Sequence, residues 1–208
     1  MVTVVEPTVR EKTPYMFAKR LIDVIGSAVL LVVLAPLLLV VAIAVRLDSP
    51  GPAIYRQKRV GRFGKHFVML KFRTMKVGTP TLSTEELQRR LEAGLDTNPY
   101  TRLGPFLRKT NLDELPQLVN ILKGEMSFIG PRPALPSQED VVSLRKELGA
   151  DRVRPGITGL AQVMGRDDLD VNTKVNYDSE YCRKLSLQFD LKVFFLTFGA
   201  VISARGNR

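Results

Sequence analysis

Tryptophan is absent from the 208 residues, and cysteine and histidine occur once each, as Cys182 and His66. A lone cysteine excludes an intramolecular disulfide and suits a reducing compartment. One cysteine and one histidine cannot assemble the shell of a structural zinc site. Internal repeats and Gly-Ser linkers are missing as well, so nothing in the composition cuts the chain into modules. The apolar fraction of 45% and charged fraction of 25% are those of a chain that buries a core.

Charge is abundant and unevenly placed. The net charge is +10. Residues 46–76 hold nine Lys and Arg against Asp48 alone, a local balance of +8, whereas residues 111–208 hold 13 basic and 13 acidic side chains. The positive charge therefore belongs to the segment behind the longest apolar run. Anionic lipid headgroups, a phosphorylated substrate and nucleic acid are the partners that use such a segment.

The apolar run covers 22 uncharged residues from Val24 to Val45 with Pro36 near its middle. As a straight helix it measures about 33 Å, against a bilayer core of about 30 Å. A signal peptide fits poorly, since such cores run to about 15 residues. A spanning helix would normally have one basic flank and one poorer in charge. Here Lys12, Lys19 and Arg20 precede the run and the +8 segment follows it. A re-entrant helix-break-helix explains both flanks. Pro36 removes a donor and clashes with the preceding turn. Each arm is then about 12 residues, or roughly 18 Å, enough to enter the bilayer halfway and return. Ser27 lies too far back to serve the carbonyl freed at the bend. Spanning and re-entrant readings both remain open on the residues alone.

Ser49-Pro50-Gly51-Pro52 stops the apolar segment. Ile54 to Leu70, around Gly61 and Gly64, reads as two short strands and a turn. Ser83 to Gly94 reads as a short capped helix. Near the C-terminus, Phe189, Phe194, Phe198 and Ile202 recur at helical spacing, which suits either an interfacial amphipathic helix or a core helix. The chemistry concentrates at TNLDELPQLVNILKGEMSFIGPRP. Asn111 and Glu114 have capping-box spacing, Pro116 fits a first turn, Leu115, Leu118, Val119 and Leu122 form an apolar face, and Gly124 closes the helix. Asp113 and Glu114 then stand at a helix N-terminus, where the dipole holds a carboxylate ionised and attracts phosphate. An ionised carboxylate can attack phosphorus, and a second beside it can hold Mg²⁺. Acidic residues in a first turn are also ordinary caps, so both readings stand at this point.

Five blocks in order, KRLIDVIGS, DSPGPAIYRQKRVG, KFRTM, LRKTNLDELPQLVNILKGEMSFIGPRP and RPGITGLAQVMGR, resemble the bacterial sugar transferase family, the monotopic phosphoglycosyl transferases. The resemblance runs from Phe17 to Ser203 and is to the family's minimal small form. It implies transfer of a sugar 1-phosphate from a UDP-sugar to undecaprenyl phosphate, with Mg²⁺, at the cytoplasmic face of the bacterial inner membrane. It implies a re-entrant helix broken at Pro36, although Ala35 stands where the family often has serine. It places the nucleophile at Asp113, a Mg²⁺ ligand at Glu114, and the nucleotide end of the donor at Pro131, Arg132 and Pro133.

The basic residues then take expected roles. Arg108 would neutralise diphosphate charge. Lys71 and Arg73 alternate across Phe72 and would share one strand face toward phosphate, with headgroup contact as the plain alternative. Arg154 and Arg166 flank the PGITGLAQVMG turn and would close the site or stay solvated. Lys19, Arg20, Arg56, Lys58 and Arg59 would bind headgroups, and Asp23 would pair with one of these cations. The expected fold is mainly α with a small β-hairpin. Residues 1–18 form an N-terminal extension, 19–48 the membrane helix, and 49–208 one compact cytoplasmic α/β catalytic domain with interfacial helices. A homodimer is compatible with this, and no nucleic acid is expected. Two rivals are a non-catalytic membrane adaptor that binds anionic lipid, and an anchored nucleic-acid module stacking Tyr55, Phe63, Phe67 and Phe72.

Overall fold

The computed structural model describes residues 13–79, 89–94, 98–165 and 169–202. The fold is mainly helical, with a small antiparallel hairpin and a bent helix pair at its start. Helix α1 (Thr13–Val33) and helix α2 (Ala35–Asp48) meet at Leu34 with a bend of 65°. Among the described residues no single helix is long and apolar enough to cross a membrane, and by length and composition only this bent pair qualifies. The ladder is intact on both sides of the break: Leu34 N–H reaches Leu30 C=O at 2.9 Å and Leu38 N–H reaches Leu34 C=O at 2.8 Å. The interruption lies between these two bonds, around Pro36, which has no N–H to offer the preceding turn. Ser27 takes no part, because its hydroxyl donates to Val24 C=O at 3.2 Å. Helix α1 already begins at Thr13, so it runs unbroken through the boundary expected at residue 19, with Pro14 in its tolerant first turn.

The expected hairpin is present. Strands β1 (Ile54–Val60) and β2 (His66–Phe72) pair antiparallel from Ile54↔Phe72 to Val60↔His66. Phe67, Met69 and Phe72 are buried, while Tyr55 and Phe63 are exposed, so two of the four aromatics considered for stacking belong to the core. The helix start expected at Ser83 lies outside the described residues, whereas residues 89–92 are helical and Gly94 has φ +67°.

Helix α3 (Gly104–Lys109) leads into a 3₁₀ turn at Leu112–Glu114 and then helix α4 (Gln117–Lys123). This corrects the single helix expected from Asn111. Asn111 adopts φ +54°, a left-handed conformation, and its side chain caps nothing, so the capping box is not formed. The α-helix starts at Gln117, behind Pro116, and the acidic pair sits in the tight turn before it. The buried face is also shifted: Gln117, Leu118, Asn120 and Ile121 are buried and Leu122 is exposed. Asn120 explains the shift, since its amide latches β2 to α4 by accepting from Leu70 N–H (3.0 Å) and donating to Val68 C=O (2.7 Å).

Strand β3 (Ser127–Ile129) pairs in parallel with β4 (Gly156–Thr158), joining the IGPRP and PGITG motifs. A Cβ on Gly156 would fall 2.2 Å from Gly130 N, and one on Gly130 would fall 2.3 Å from Arg154 O. These glycines permit backbones to touch. Helix α5 (Glu139–Glu147), helix α6 (Leu160–Met164), helix α7 (Val171–Arg183) and helix α8 (Leu187–Ile202) complete the fold. Helix α8 buries Val193 and leaves Leu191, Phe194, Phe195, Leu196 and Phe198 exposed. Helix α8 is therefore only partly taken into the core.

Candidate active site

Asp113 and Glu114 stand in the 3₁₀ turn on the wall of a cavity of about 1700 Å³. Lys71, at the end of β2, and Arg132, in the loop after β3, converge on one oxygen. Lys71 Nζ lies 2.9 Å and Arg132 Nη2 3.0 Å from Glu114 Oε1. Arg108 projects from α3 into the same cavity, with its guanidinium 5.4 Å from the Tyr100 ring centroid.

The two adjacent carboxyls are driven apart electrostatically. Burial pushes Glu114 up, but Lys71 and Arg132 more than reverse this and hold it well below the usual carboxylate range. Asp113 is shifted upward by burial and by the Glu114 charge, against the pull of Lys71, Arg108 and Arg132. The sequence expectation was of an Asp113 ionised by a helix N-terminus. Instead the α-helix begins later, and Lys71, Arg108 and Arg132 offset only part of the upward shift of Asp113. Burial lowers Lys71, which Glu114 opposes. Among the described residues no group of three or more His, Cys, Asp and Glu side chains could hold a metal unaided.

The structure brings Lys71, Arg108, Asp113, Glu114 and Arg132 together on one cavity wall, which Arg73 and Pro133 also line. The Arg73 guanidinium is engaged by the backbone at the end of α2. The residue is 4% exposed, and its guanidinium caps the end of α2, donating to Pro52 C=O (2.8 Å), Ser49 C=O (2.8 Å), Val45 C=O (3.2 Å), Gly51 C=O (3.5 Å) and the Ser49 hydroxyl. Strand β2 ends at Phe72, so the period-two argument did not extend to residue 73. Arg154 is elsewhere, donating to Gly124 C=O at 2.8 Å, with Arg20 and Arg62 as the cations that act on it. Arg166 lies outside the described residues. Pro131 and Pro133 act through their carbonyls, which accept from Gly156 N–H and from the Arg59 guanidinium, both at 2.9 Å.

Several cations assigned to headgroups hold the protein together instead. Arg20 caps α4 by donating to Ile121 C=O (2.7 Å) and Leu122 C=O (3.0 Å), and Gly124 leaves room for it. Lys19 pairs with Asp190 at 2.8 Å, and the hydroxyls of Tyr15 and Tyr181 donate to the same carboxylate. Asp23 accepts from the Ser127 hydroxyl and Phe128 N–H, both at 3.1 Å, in place of a direct ion pair. Arg59 lines the cavity; burial and the neighbouring Arg132 lower its pKa to about 10. Sequence reasoning missed Arg59, Asn120 and the buried Arg145–Asp178 pair. The alternation of Tyr55, Gln57 and Arg59 on β1 was the available signal for the first.

A family model described as bacterial sugar transferase matches residues 14–204. An uncharacterized sugar transferase of Haemophilus influenzae is 42% identical over 200 residues, which cover 90% of this chain and 41% of the relative. The UDP-glucose:undecaprenyl-phosphate glucose-1-phosphate transferase of Klebsiella pneumoniae is 42% identical over 189 residues, covering 88% and 39%. The exopolysaccharide production protein ExoY of Rhizobium meliloti is 40% identical over 203 residues, covering 91% and 88%. The chain thus spans about 40% of the length of the first two relatives and most of the third. With the matched model extending from α1 to the end of α8 and over both members of the acidic pair, the chain belongs to the bacterial sugar transferase family.

Proposed function

We propose that this protein transfers a sugar 1-phosphate from a UDP-sugar to undecaprenyl phosphate and releases UMP, the first membrane step in building a glycoconjugate. The observation that carries the reading is the Asp113–Glu114 pair, Asp113 buried and Glu114 half-buried, ringed by Lys71, Arg108 and Arg132, next to a bent apolar helix pair. The names of the relatives supply the substrate classes. Such an enzyme must serve one soluble and one lipid substrate. A re-entrant α1–α2 with both ends on the cytoplasmic side, together with the apolar face of α8, would hold the cavity at the bilayer surface.

Asp113 is the nucleophile in this scheme. Its carboxylate oxygen attacks the donor's β-phosphorus, the bond to the bridging oxygen breaks, and UMP leaves. A phosphate oxygen of the lipid then attacks the same phosphorus, the acyl phosphate bond breaks, and Asp113 is restored. Lys71, Arg108 and Arg132 offset the upward shift of Asp113 and would neutralise the equatorial oxygens in transit. Mg²⁺ usually binds through one or two carboxylates plus substrate phosphates. Asp113 and Glu114 suit it: they are adjacent, their like charges oppose each other, and both cations on Glu114 occupy Oε1. They would hold the ion, which supplies Lewis-acid neutralisation of phosphate charge.

The test uses purified protein, Mg²⁺ and a panel of UDP-sugars without lipid acceptor. One equivalent of UMP and a hydroxylamine-sensitive phosphosugar adduct on Asp113, absent in Asp113→Asn, are expected. Turnover that needs both substrates at once and leaves no adduct would replace the two-step scheme with direct transfer.

A further inference from the structure

In the wall of the same cavity lies a buried ion pair that the reaction scheme does not use. Arg145 on α5 is 8% exposed and Asp178 on α7 is 1% exposed. Arg145 Nε and Nη2 both donate to Asp178 Oδ2, at 2.9 and 2.6 Å. The remaining arm, Nη1, donates at 2.7 Å to the backbone carbonyl of Arg132. Arg132 in turn reaches Glu114 Oε1 at 3.0 Å. A continuous series of contacts therefore runs from α7 through α5 and the loop after β3 to the acidic pair.

The parts of this series are unequal in rigidity. The Arg132 side chain is 43% exposed, so its long stem has room to leave Glu114 for solvent. Its backbone, by contrast, is gripped on both sides: Pro131 C=O accepts from Gly156 N–H, and Pro133 C=O accepts from Arg59. Arg145 supplies the grip on residue 132 itself. A buried ion pair is weak evidence of stability, since apolar groups of equal volume often serve as well. What an apolar pair cannot supply is the charged donor to the Arg132 carbonyl. We propose that Arg145, oriented by Asp178, is a positioning residue that sets the backbone of Arg132 so that its guanidinium meets Glu114 and the donor phosphates. The part concerning donor phosphates rests on the function proposed above; the part concerning Arg132 and Glu114 does not.

The main variant is Arg145→Met with Asp178→Leu, which removes both charges together and leaves neither orphaned. The melting temperature is expected to change little, while kcat/KM for the UDP-sugar falls about 10-fold, the lower end for loss of a group that orients an active-site residue. Introduced on an Arg132→Lys background, the same double change should cost less than about two-fold, because a residue acting through Arg132 has nothing further to lose. Losses that multiply on the two backgrounds would assign the pair a general structural role and overturn the proposal. Asp178→Asn, which keeps the shape of the acceptor, carries the same cycle if the double variant does not fold. Hydrogen exchange supplies an arm that needs no substrate. Residues 131–135 should exchange faster in the variants, with α7 unchanged. Equal loosening of both segments, or of neither, would refute the positioning role even if wild-type protein released no UMP, a result that would instead refute the proposed function.

Discussion

Replacing Arg73 with alanine separates two accounts of the KFRTM motif. If Arg73 gripped phosphate, the variant would fold normally and bind donor poorly. The structure predicts the opposite. Four backbone carbonyls and one hydroxyl at and just beyond the end of α2 lose their donor, and the side chain that fills the space is 4% exposed. Hydrogen bonds to a charged group contribute roughly 1.5–3 kcal/mol each. The sum is not additive, and water can reach the end of the helix, so we expect a loss of about 3 kcal/mol in total. For a chain of this size that corresponds to a fall of roughly 6–12 °C in melting temperature. Arg73→Lys, with one nitrogen in place of three, should lose about half as much. The protein carries its own probe. Cys182 is buried, and burial pushes its thiol up to about 12, so a thiol-reactive dye should label it on unfolding and hardly at all at pH 8 in the native state. An Arg73→Ala variant that melts within about 2 °C of wild type while its KM for donor rises would refute the capping account.

Removal of the metal should be decisive for the acidic pair: turnover is expected to stop in excess EDTA, and Glu114→Gln should lower activity and Mg²⁺ dependence together, whereas full activity in EDTA would exclude the metal. Lys71→Met should make the fold acid-sensitive at a higher pH. Glu114 has a depressed folded-state pKa, so its contribution is present above the unfolded value of about 4.3 and is lost as pH falls below it. Without Lys71 the folded pKa rises, the contribution shrinks, and the acid unfolding midpoint moves up; an unchanged midpoint would show that Arg132 alone sustains the depression. Pro36→Leu should straighten the bend and move some molecules to a spanning topology, read by accessibility of cysteines introduced at Phe17 and Lys58. No shift would mean that the clamps of Lys19 and Arg20, rather than the proline, hold the bend.

The sequence by itself determined the features that depend on covalent geometry and short-range pattern. Pro36 breaks the apolar helix because a ring replaces its N–H, and Ser49-Pro50-Gly51-Pro52 ends α2 for the same reason. The hairpin follows from alternation around Gly61 and Gly64. The acidic pair stood out in the sequence as the candidate site, although its local conformation was not legible. Asn111 turned left-handed, and Asn120 pulled α4 into a register that propensity does not encode. Only the tertiary structure decided which cations meet those carboxylates. Lys71 reaches Glu114 across 43 positions of sequence, whereas Arg73, two residues on, is taken by α2. Lys19 and Arg20 have the composition of a headgroup anchor, yet their charges are spent on Asp190 and on the end of α4. The parallel pairing of β3 with β4, from strands of three residues each, lies below any periodicity signal, and it is what carries Arg132 to the site. The physical reason is the same throughout. Backbone restrictions act between neighbours in the chain, whereas the partner of a charged side chain is set by whichever donor or carbonyl the packed elements bring within about 3 Å.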